Sequence, residues 1–346
     1  MGLWCKRDRQ RWKQWIVLFC LGISLSWGTV ACAPGNTVEF TLVSFAVTKA
    51  AYQQIADKFA EKWQREHHQN VVINQSYGGS SAQSRAVIDG LEADVVALSL
   101  GLDIDKIQKA GLIEAGWEDR LPNKSIVTKS VATLVTTPEN PKQIKTWSDL
   151  TKPGVKVITA NPKSSGLARW NFLALWGSIT QTGGNESQAL DFTSRVYGNS
   201  VVLARDAREA SDAFFKQGQG DVLVTYENEA ILVQQKGESI KYISPSLNIS
   251  IDNPVAMVDR NVSKHQNRIV VEAFLKYLFT PEAQVEFAKV GFRPIEDGVY
   301  QQFAKQYQPV KQLFDVNDFG GWKQVQDKLF QDGGVFDRIE AKISQK

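Results

Sequence analysis

Four short stretches of this chain have the make-up of an anion-holding helix mouth: residues 44–48, 76–81, 161–166 and 203–207. The fullest is V-I-T-A-N-P-K-S-S-G-L-A-R-W, residues 157–170. Val157-Ile158 reads as the end of a buried strand. Asn161-Pro162 then breaks the chain, because the residue before a proline is pushed out of the helical region. Ser164-Ser165-Gly166 is a helix-start composition, and Leu167, Trp170, Leu173, Ala174 and Gly177 recur at helical spacing. The first N–H groups of a helix have no internal partner and its dipole is positive there. With Gly166 leaving the backbone open, an anion can sit at such a mouth without any cationic side chain.

The elements that must position these mouths follow from the pattern around them. Residues 38–43, 71–73, 94–98, 157–158, 201–203 and 221–226 read as strands; Tyr52, Ile55, Phe59 and Trp63 mark one face of a helix. Ala82, Ala86, Val87 and Leu91 mark a second helix, residues 103–110 a third ended by Gly111, and residues 209–217 another with Ala210, Ala213 and Phe214 inward. The tail after Phe314 reads as a loop followed by an amphipathic helix. Strands alternating with helices argue for βαβ units and an α/β fold. The β-branched run 130–136 reads as a crossing into a second lobe and residues 254–258 as the return, which makes a hinged clamshell. The expected division is 38–133 plus 255–346 for one lobe and 134–254 for the other. Ligands of open parallel sheets bind outside the carboxyl ends of the strands, so two mouths from each lobe would face one spot, with Tyr226 at a fifth strand end.

Residues 1–13 carry Lys6, Arg7, Arg9, Arg11 and Lys13 against Asp8, ahead of a short apolar run from Trp15 to Trp27. This is an export signal, too short and too weakly apolar for a membrane span. Its end admits two readings, cleavage at Ala31-Cys32-Ala33 or lipidation of Cys32, so residues 1–32 are a leader of plain or lipoprotein type. The three cysteines, Cys5, Cys20 and Cys32, all fall within it, leaving the body without a disulfide or a cysteine metal site. Residues 1–31 hold five bases and one acid, so their removal takes the formal charge from +3 to about −1. No polybasic stretch remains in the body, which argues against nucleic acid. The three histidines, His67, His68 and His265, lie away from the junctions. Neither a G-x-S-x-G elbow nor a G-x-x-x-x-G-K-[ST] loop nor H-E-x-x-H occurs. Catalysis would have to come from carboxylates that nothing pairs, so no enzyme, cofactor or metal is expected.

A cleft walled by backbone donors has a definite preference. Sulfate at neutral pH carries no proton and only accepts hydrogen bonds, whereas phosphate keeps at least one proton that needs an acceptor. Leaving that group unsatisfied costs about 1–3 kcal/mol, roughly 5- to 150-fold in affinity. Asp206 and Glu227 are the carboxylates nearest the junctions in sequence, and both are expected to point away.

The run Asn161-Pro162-Lys163-Ser164-Ser165-Gly166-Leu167-Ala168-Arg169 resembles the signature of the bacterial periplasmic sulfate-binding proteins, the receptors of sulfate ABC importers. The likeness extends from Val38 to the C-terminus, with weaker echoes at residues 78–80 and 226–230. It implies a type II clamshell in the periplasm, each lobe a mainly parallel sheet flanked by helices. It implies an anion held by the amides of Ala46, Ser80, Gly166, Leu167 and Ala207 and by the Ser165 hydroxyl, with the Ser80 hydroxyl a further candidate. Tyr226 stands where related proteins have a tryptophan that donates its indole N–H; a tyrosine hydroxyl donates at a different length and also accepts. The implied partners are sulfate, or thiosulfate, and an inner-membrane ABC permease with its ATPase, the receptor itself being a monomer. Molybdate and phosphate are the other tetrahedral rivals. Lys163, Arg169 and Arg208 are expected to orient loops, and Trp170 and Trp176 to lie in the core.

Overall fold

The structure is a computed structural model that describes residues 37–343. The leader, its cysteines and the alternatives at Ala33 and Cys32 lie outside the described residues. Among the described residues ten strands form one continuous sheet whose path runs β2-β1-β3-β9-β4-β7-β5-β6, with β10 beside β9 and β8 (Lys241–Ile243) beside β4. At one end lie β1 (Thr37–Phe45), β2 (Asn70–Gly78) and β3 (Val95–Ala97). At the other lie β5 (Val157–Ala160), β6 (Ser200–Ala204) and β7 (Val222–Tyr226). β1 and β3 are parallel, as are β5 with β6 and with β7, as βαβ alternation requires.

Two long antiparallel strands in the middle join the halves, giving the two-lobe α/β architecture. β4 (Ile126–Thr136) pairs with β9 (Leu247–Met257) over 126–131 and turns to β7 over 132–135. β9 in turn reaches β3 over 255–257. Pro254 sits inside β9, where it has no N–H for the ladder; the register shifts opposite it, between Ile126 and Thr128. A bulge is where a proline is tolerated in an interior strand.

The helices that matter to the site each start at the end of a strand. After β1 a 3-10 turn (Ala46–Thr48) leads into α1 (Lys49–His67), whose buried Tyr52, Ile55, Phe59 and Trp63 are the expected face. After β2 comes α2 (Ser80–Ile88), and α3 (Gly101–Lys109) follows β3. In the other half, α4 (Gly166–Thr180) follows β5, α5 (Glu186–Gly198) leads to β6, α6 (Ala207–Phe215) follows it, and α7 (Glu227–Gln235) follows β7. Two expectations change. Residues 76–78 are strand rather than loop, so Gly79 alone makes the turn into α2. α2 also ends before Leu91, and its buried residues are Ser80, Ser81, Gln83 and Ser84 beside Val87, with Ala82 exposed. The reason is Asp103 on α3, a fully buried carboxylate that draws those hydroxyls inward.

The tail departs from a plain loop and helix. It forms β10 (Gln312–Phe314), which pairs with β9, then α12 (Gly321–Val325) and α13 (Val335–Ile343); α8 (Asp259–His265) through α11 (Asp297–Phe303) precede it. The tail packs on α4 and α5: Trp322 lies 4.6 Å from Trp170 edge to face, and Phe336 lies 6.2 Å from Phe172 and 5.5 Å from Tyr197.

One surface tie has a calculable pH signature. His265, at the end of α8, places Nε2 3.0 Å from Glu92 and Nδ1 2.7 Å from Asp94. Its pKa is raised, chiefly by Glu92 and then by Asp94. A group raised on folding stabilises fully below its unfolded pKa, about 6.5 for histidine, and that stability is lost as pH rises through the folded value. The gap in urea midpoint between wild type and His265→Ala is therefore expected to be widest near pH 5.5 and to close by pH 8.5. A gap constant across that range would place His265 outside the tie.

Candidate functional site

All seven residues singled out from the sequence, Ala46, Ser80, Ser165, Gly166, Leu167, Ala207 and Tyr226, line one cavity between the two halves of the sheet. The volume open to the centre of a water-sized sphere is about 10 Å³. Adding the 1.4 Å sphere radius gives a space of roughly 2.7 Å radius. That is the scale of one central atom with four oxygens.

The walls are helix mouths. α2 starts at Ser80 behind Gly79, which has no side chain to cap it. α4 starts at Gly166 behind Ser165, whose hydroxyl makes no capping bond. Both starts are buried, Ser80 and Ser165 being 2% exposed. A buried helix end whose first N–H groups find no partner calls for one. α6 differs, because Asp206 caps it by accepting from the Glu209 amide at 3.0 Å. Close approach is permitted by two glycines. A Cβ on Gly79 would stand 2.8 Å from the Ser164 carbonyl, and one on Gly166 would stand 2.7 Å from Ser99 Cβ and Oγ.

Among the described residues no lysine, arginine or histidine lines the cavity. The three nearby cations are engaged elsewhere, as expected. Lys163 pairs with Asp337 at 3.1 Å and Glu340 at 2.9 Å. Arg169 donates to the Pro162 carbonyl at 2.8 Å and to Gln326 at 2.9 Å, over the Phe330 ring. Arg208 meets Glu229 at 3.0 Å; burial holds that carboxyl above its usual range while Arg208 pulls it back. Glu227 turns away into a buried pair with Arg293 at 2.6 Å. Asp206 does reach the wall, although its Oδ1 is occupied by the cap.

The structure revises one donor. Ser80 Oγ gives its proton to Asp103 Oδ2 at 2.8 Å and accepts from the Ser99 amide at 3.0 Å, so Ser80 faces the cavity with its amide and not its hydroxyl. Tyr226 belongs to both core and wall: it is 1% exposed, and burial pushes its pKa far up, so it is a neutral hydroxyl. Trp170 is in the core as expected, and its indole also donates to the Ser99 carbonyl at 2.9 Å. Sequence reasoning missed Ser99, which lines the cavity with Oγ 2.7 Å from the Tyr226 hydroxyl. It missed Asp103 as well. Leu98-Ser99-Leu100 reads only as the end of a buried strand; Ser99's position beyond β3, at a carboxyl end, was the one available signal.

Comparison with known proteins agrees with this geometry. Residues 40–293 match the family of bacterial extracellular solute-binding proteins. The chain is 58% identical over 311 residues to a sulfate-binding protein of Synechococcus elongatus, covering 90% of this chain and 89% of that one. It is 38% identical over 300 residues to a thiosulfate-binding protein of Pseudomonas aeruginosa, covering 86% and 90%. Among solved structures, the sulfate-binding protein SubI from Mycobacterium tuberculosis superposes with a TM-score of 0.78 at 35% identity, covering 85% of this chain and all of that one.

Proposed function

The chain belongs to the bacterial extracellular solute-binding proteins, on their sulfate-binding branch, and from that membership we propose that it captures sulfate between its lobes for uptake. The observation that carries the reading is the shut cavity of oxyanion size, walled by uncapped helix mouths and free of cationic side chains. In this reading the ligand-binding groups are the amides of Ala46, Ser80, Gly166, Leu167 and Ala207 with the hydroxyls of Ser165 and Tyr226. Their N–H and O–H groups can donate where a sulfate accepts, and the buried setting makes each hydrogen bond to charge worth more than in water. The protein works by binding and release and performs no reaction.

The lobes are drawn at 38–133 with 255–346 and at 134–254, where β4 and β9 exchange partners. Packing of the residues after Gln312 on α4 and α5 supports a tail that lies across onto the second lobe. Closure follows from contacts that exist only when the lobes meet, such as Trp170 to Ser99. The receptor acts as a monomer in the periplasm, freed at the leader or held by lipid on Cys32, and delivers sulfate to an ABC permease driven by its ATPase. Among the described residues no helix is long and apolar enough to cross a membrane. Thiosulfate, of the same charge and nearly the same shape, is the second reading, favoured by the Pseudomonas relative.

The test is titration calorimetry on the leader-less protein in chloride buffer near pH 7.5, with sulfate, thiosulfate, molybdate and phosphate. Sulfate is expected to bind most tightly, and Ser165→Ala to weaken it by about 1.5–3 kcal/mol, one hydrogen bond to a charged group. Stronger thiosulfate or molybdate binding would rename the ligand. No binding of any oxyanion by folded protein freed of bound sulfate would sink the receptor.

A further inference from the structure

We propose that Asp103, which lies behind the cavity wall and outside its lining, is a positioning residue that sets the first lobe's grip on the anion by acting through Ser80 and Ser99. This deepens the receptor reading above and rests on it.

Asp103 is the third residue of α3 and is fully buried. Its Oδ2 accepts from Ser80 Oγ at 2.8 Å, and Ser81 Oγ lies 3.1 Å from each of its carboxylate oxygens. Ser84 Oγ donates to its backbone carbonyl at 2.7 Å. Three hydroxyls of α2 thus close on one residue of α3. Lys106 Nζ, 3.0 Å from Oδ1, balances a charge that would otherwise stand alone behind an anion site.

The hydrogen bonds running from Asp103 to the wall have one possible direction. An ionised carboxylate only accepts, and an amide N–H only donates. Ser80 Oγ therefore gives its proton to Asp103 and receives the Ser99 N–H, at 3.0 Å, on a lone pair. Ser99 in turn meets the second lobe twice. Its carbonyl accepts from Trp170 Nε1 at 2.9 Å, and its hydroxyl stands 2.7 Å from that of Tyr226. One carboxylate thereby holds both the mouth of α2, whose Ser80 amide faces the cavity, and the corner on which the lobes meet.

Without that carboxylate, the Ser80 proton has no acceptor while Oγ stays on the Ser99 amide. If the hydroxyl turns to find one, the Ser99 amide is stranded instead. In the open form water reaches this wall and meets either group. In the shut form Ser80 and Ser99 are 2% and 1% exposed, and water does not. The cost therefore falls on the form that holds the anion and appears as lost affinity, about 5- to 150-fold for one orphaned buried group. A carboxylate that only tied α2 to α3 would stabilise the open and shut forms alike and leave affinity untouched.

The test is sulfate calorimetry at pH 7.5 on wild type, Ser80→Ala, Asp103→Ala, Asp103→Asn and the double variant Ser80→Ala with Asp103→Ala, each with a ligand-free melting curve. Ser80→Ala and Asp103→Ala are each expected to weaken sulfate by about fivefold or more, although neither removes a group that touches the anion. The double variant is expected to match Ser80→Ala within about threefold, whereas independent sites would multiply the two losses. Asp103→Asn keeps a carbonyl oxygen for Ser80 and lets the part-exposed Lys106 turn to water, so it is expected to bind sulfate about fivefold or more tighter than Asp103→Ala.

A lowered ligand-free melting temperature with an unchanged sulfate Kd in Asp103→Ala would make the residue a strut and overturn the proposal. Losses that multiply in the double variant would overturn it, as would an Asp103→Asn no tighter than Asp103→Ala. Should Asp103→Ala fail to fold, the other single variants decide: wild-type Kd in Ser80→Ala, or an Asp103→Asn as weak as Ser80→Ala, overturns it. Failure of wild type to bind sulfate is a separate result and falls on the receptor reading.

Discussion

Gly166→Ala is expected to weaken anion binding by about 5- to 150-fold while leaving the ligand-free protein folded. The added Cβ would stand 2.7 Å from Ser99 Cβ and Oγ and 3.1 Å from Ser80 Cβ. Ser99 has little freedom to yield, since Ser80, Trp170 and Tyr226 hold it on three sides. The two halves must then stay apart or α4 must shift. Overpacking of this kind costs about 1–3 kcal/mol, which is the quoted range in affinity. The clash exists only in the shut form. In the open form alanine suits the start of a helix better than glycine, so the ligand-free melting temperature is expected to hold or rise slightly. Calorimetry and ligand-free melting separate the two effects. Wild-type affinity in Gly166→Ala would remove the argument from close approach.

Arg293→Ala is expected to cost roughly 3–5 kcal/mol of folding stability, the usual result of stranding a buried charge. Glu227 has no exposed side-chain surface, and among the described residues Arg293 is its only cationic partner, through Nε at 2.6 Å and Nη2 at 3.1 Å. Ser244 and the Gln308 amide complete the set at 3.1 Å each, and these neutral donors cannot balance the charge. Arg293 also bridges to β4, its backbone exchanging hydrogen bonds with Lys129. The tie therefore fastens the start of α7, immediately behind Tyr226, to a crossing strand. The double change Glu227→Gln with Arg293→Met is expected to recover most of the loss, because a neutral pair carries no desolvation debt. Urea denaturation of both variants decides it, and a single variant no less stable than the double would refute the account.

The helix mouths that line the cavity were legible because their make-up is local. Ser164-Ser165-Gly166 and Gly78-Gly79-Ser80 follow apolar strands, and small residues at a strand end leave a helix start open whatever the rest of the fold does. The crossings at β4 and β9 were legible from β-branched runs, with Pro254 marking its own bulge. What escaped was set by tertiary partners. In α2 the serines turn in because Asp103 lies under them, a fact written twenty residues further on. Ser99 escaped for the same reason, since nothing in Leu98-Ser99-Leu100 announces Tyr226 or Trp170. These are places where local propensity yields to a site.

The missing cations have a consequence for the setting in which such a receptor can work. Exposed charges lose their reach as dissolved ions accumulate, the screening length falling from about 10 Å at 0.1 M to 3 Å at 1 M. Amide dipoles lining so small a cavity leave little room for an ionic atmosphere. Retention of the anion is then expected to depend less on salinity than it would in a site built on exposed lysines and arginines.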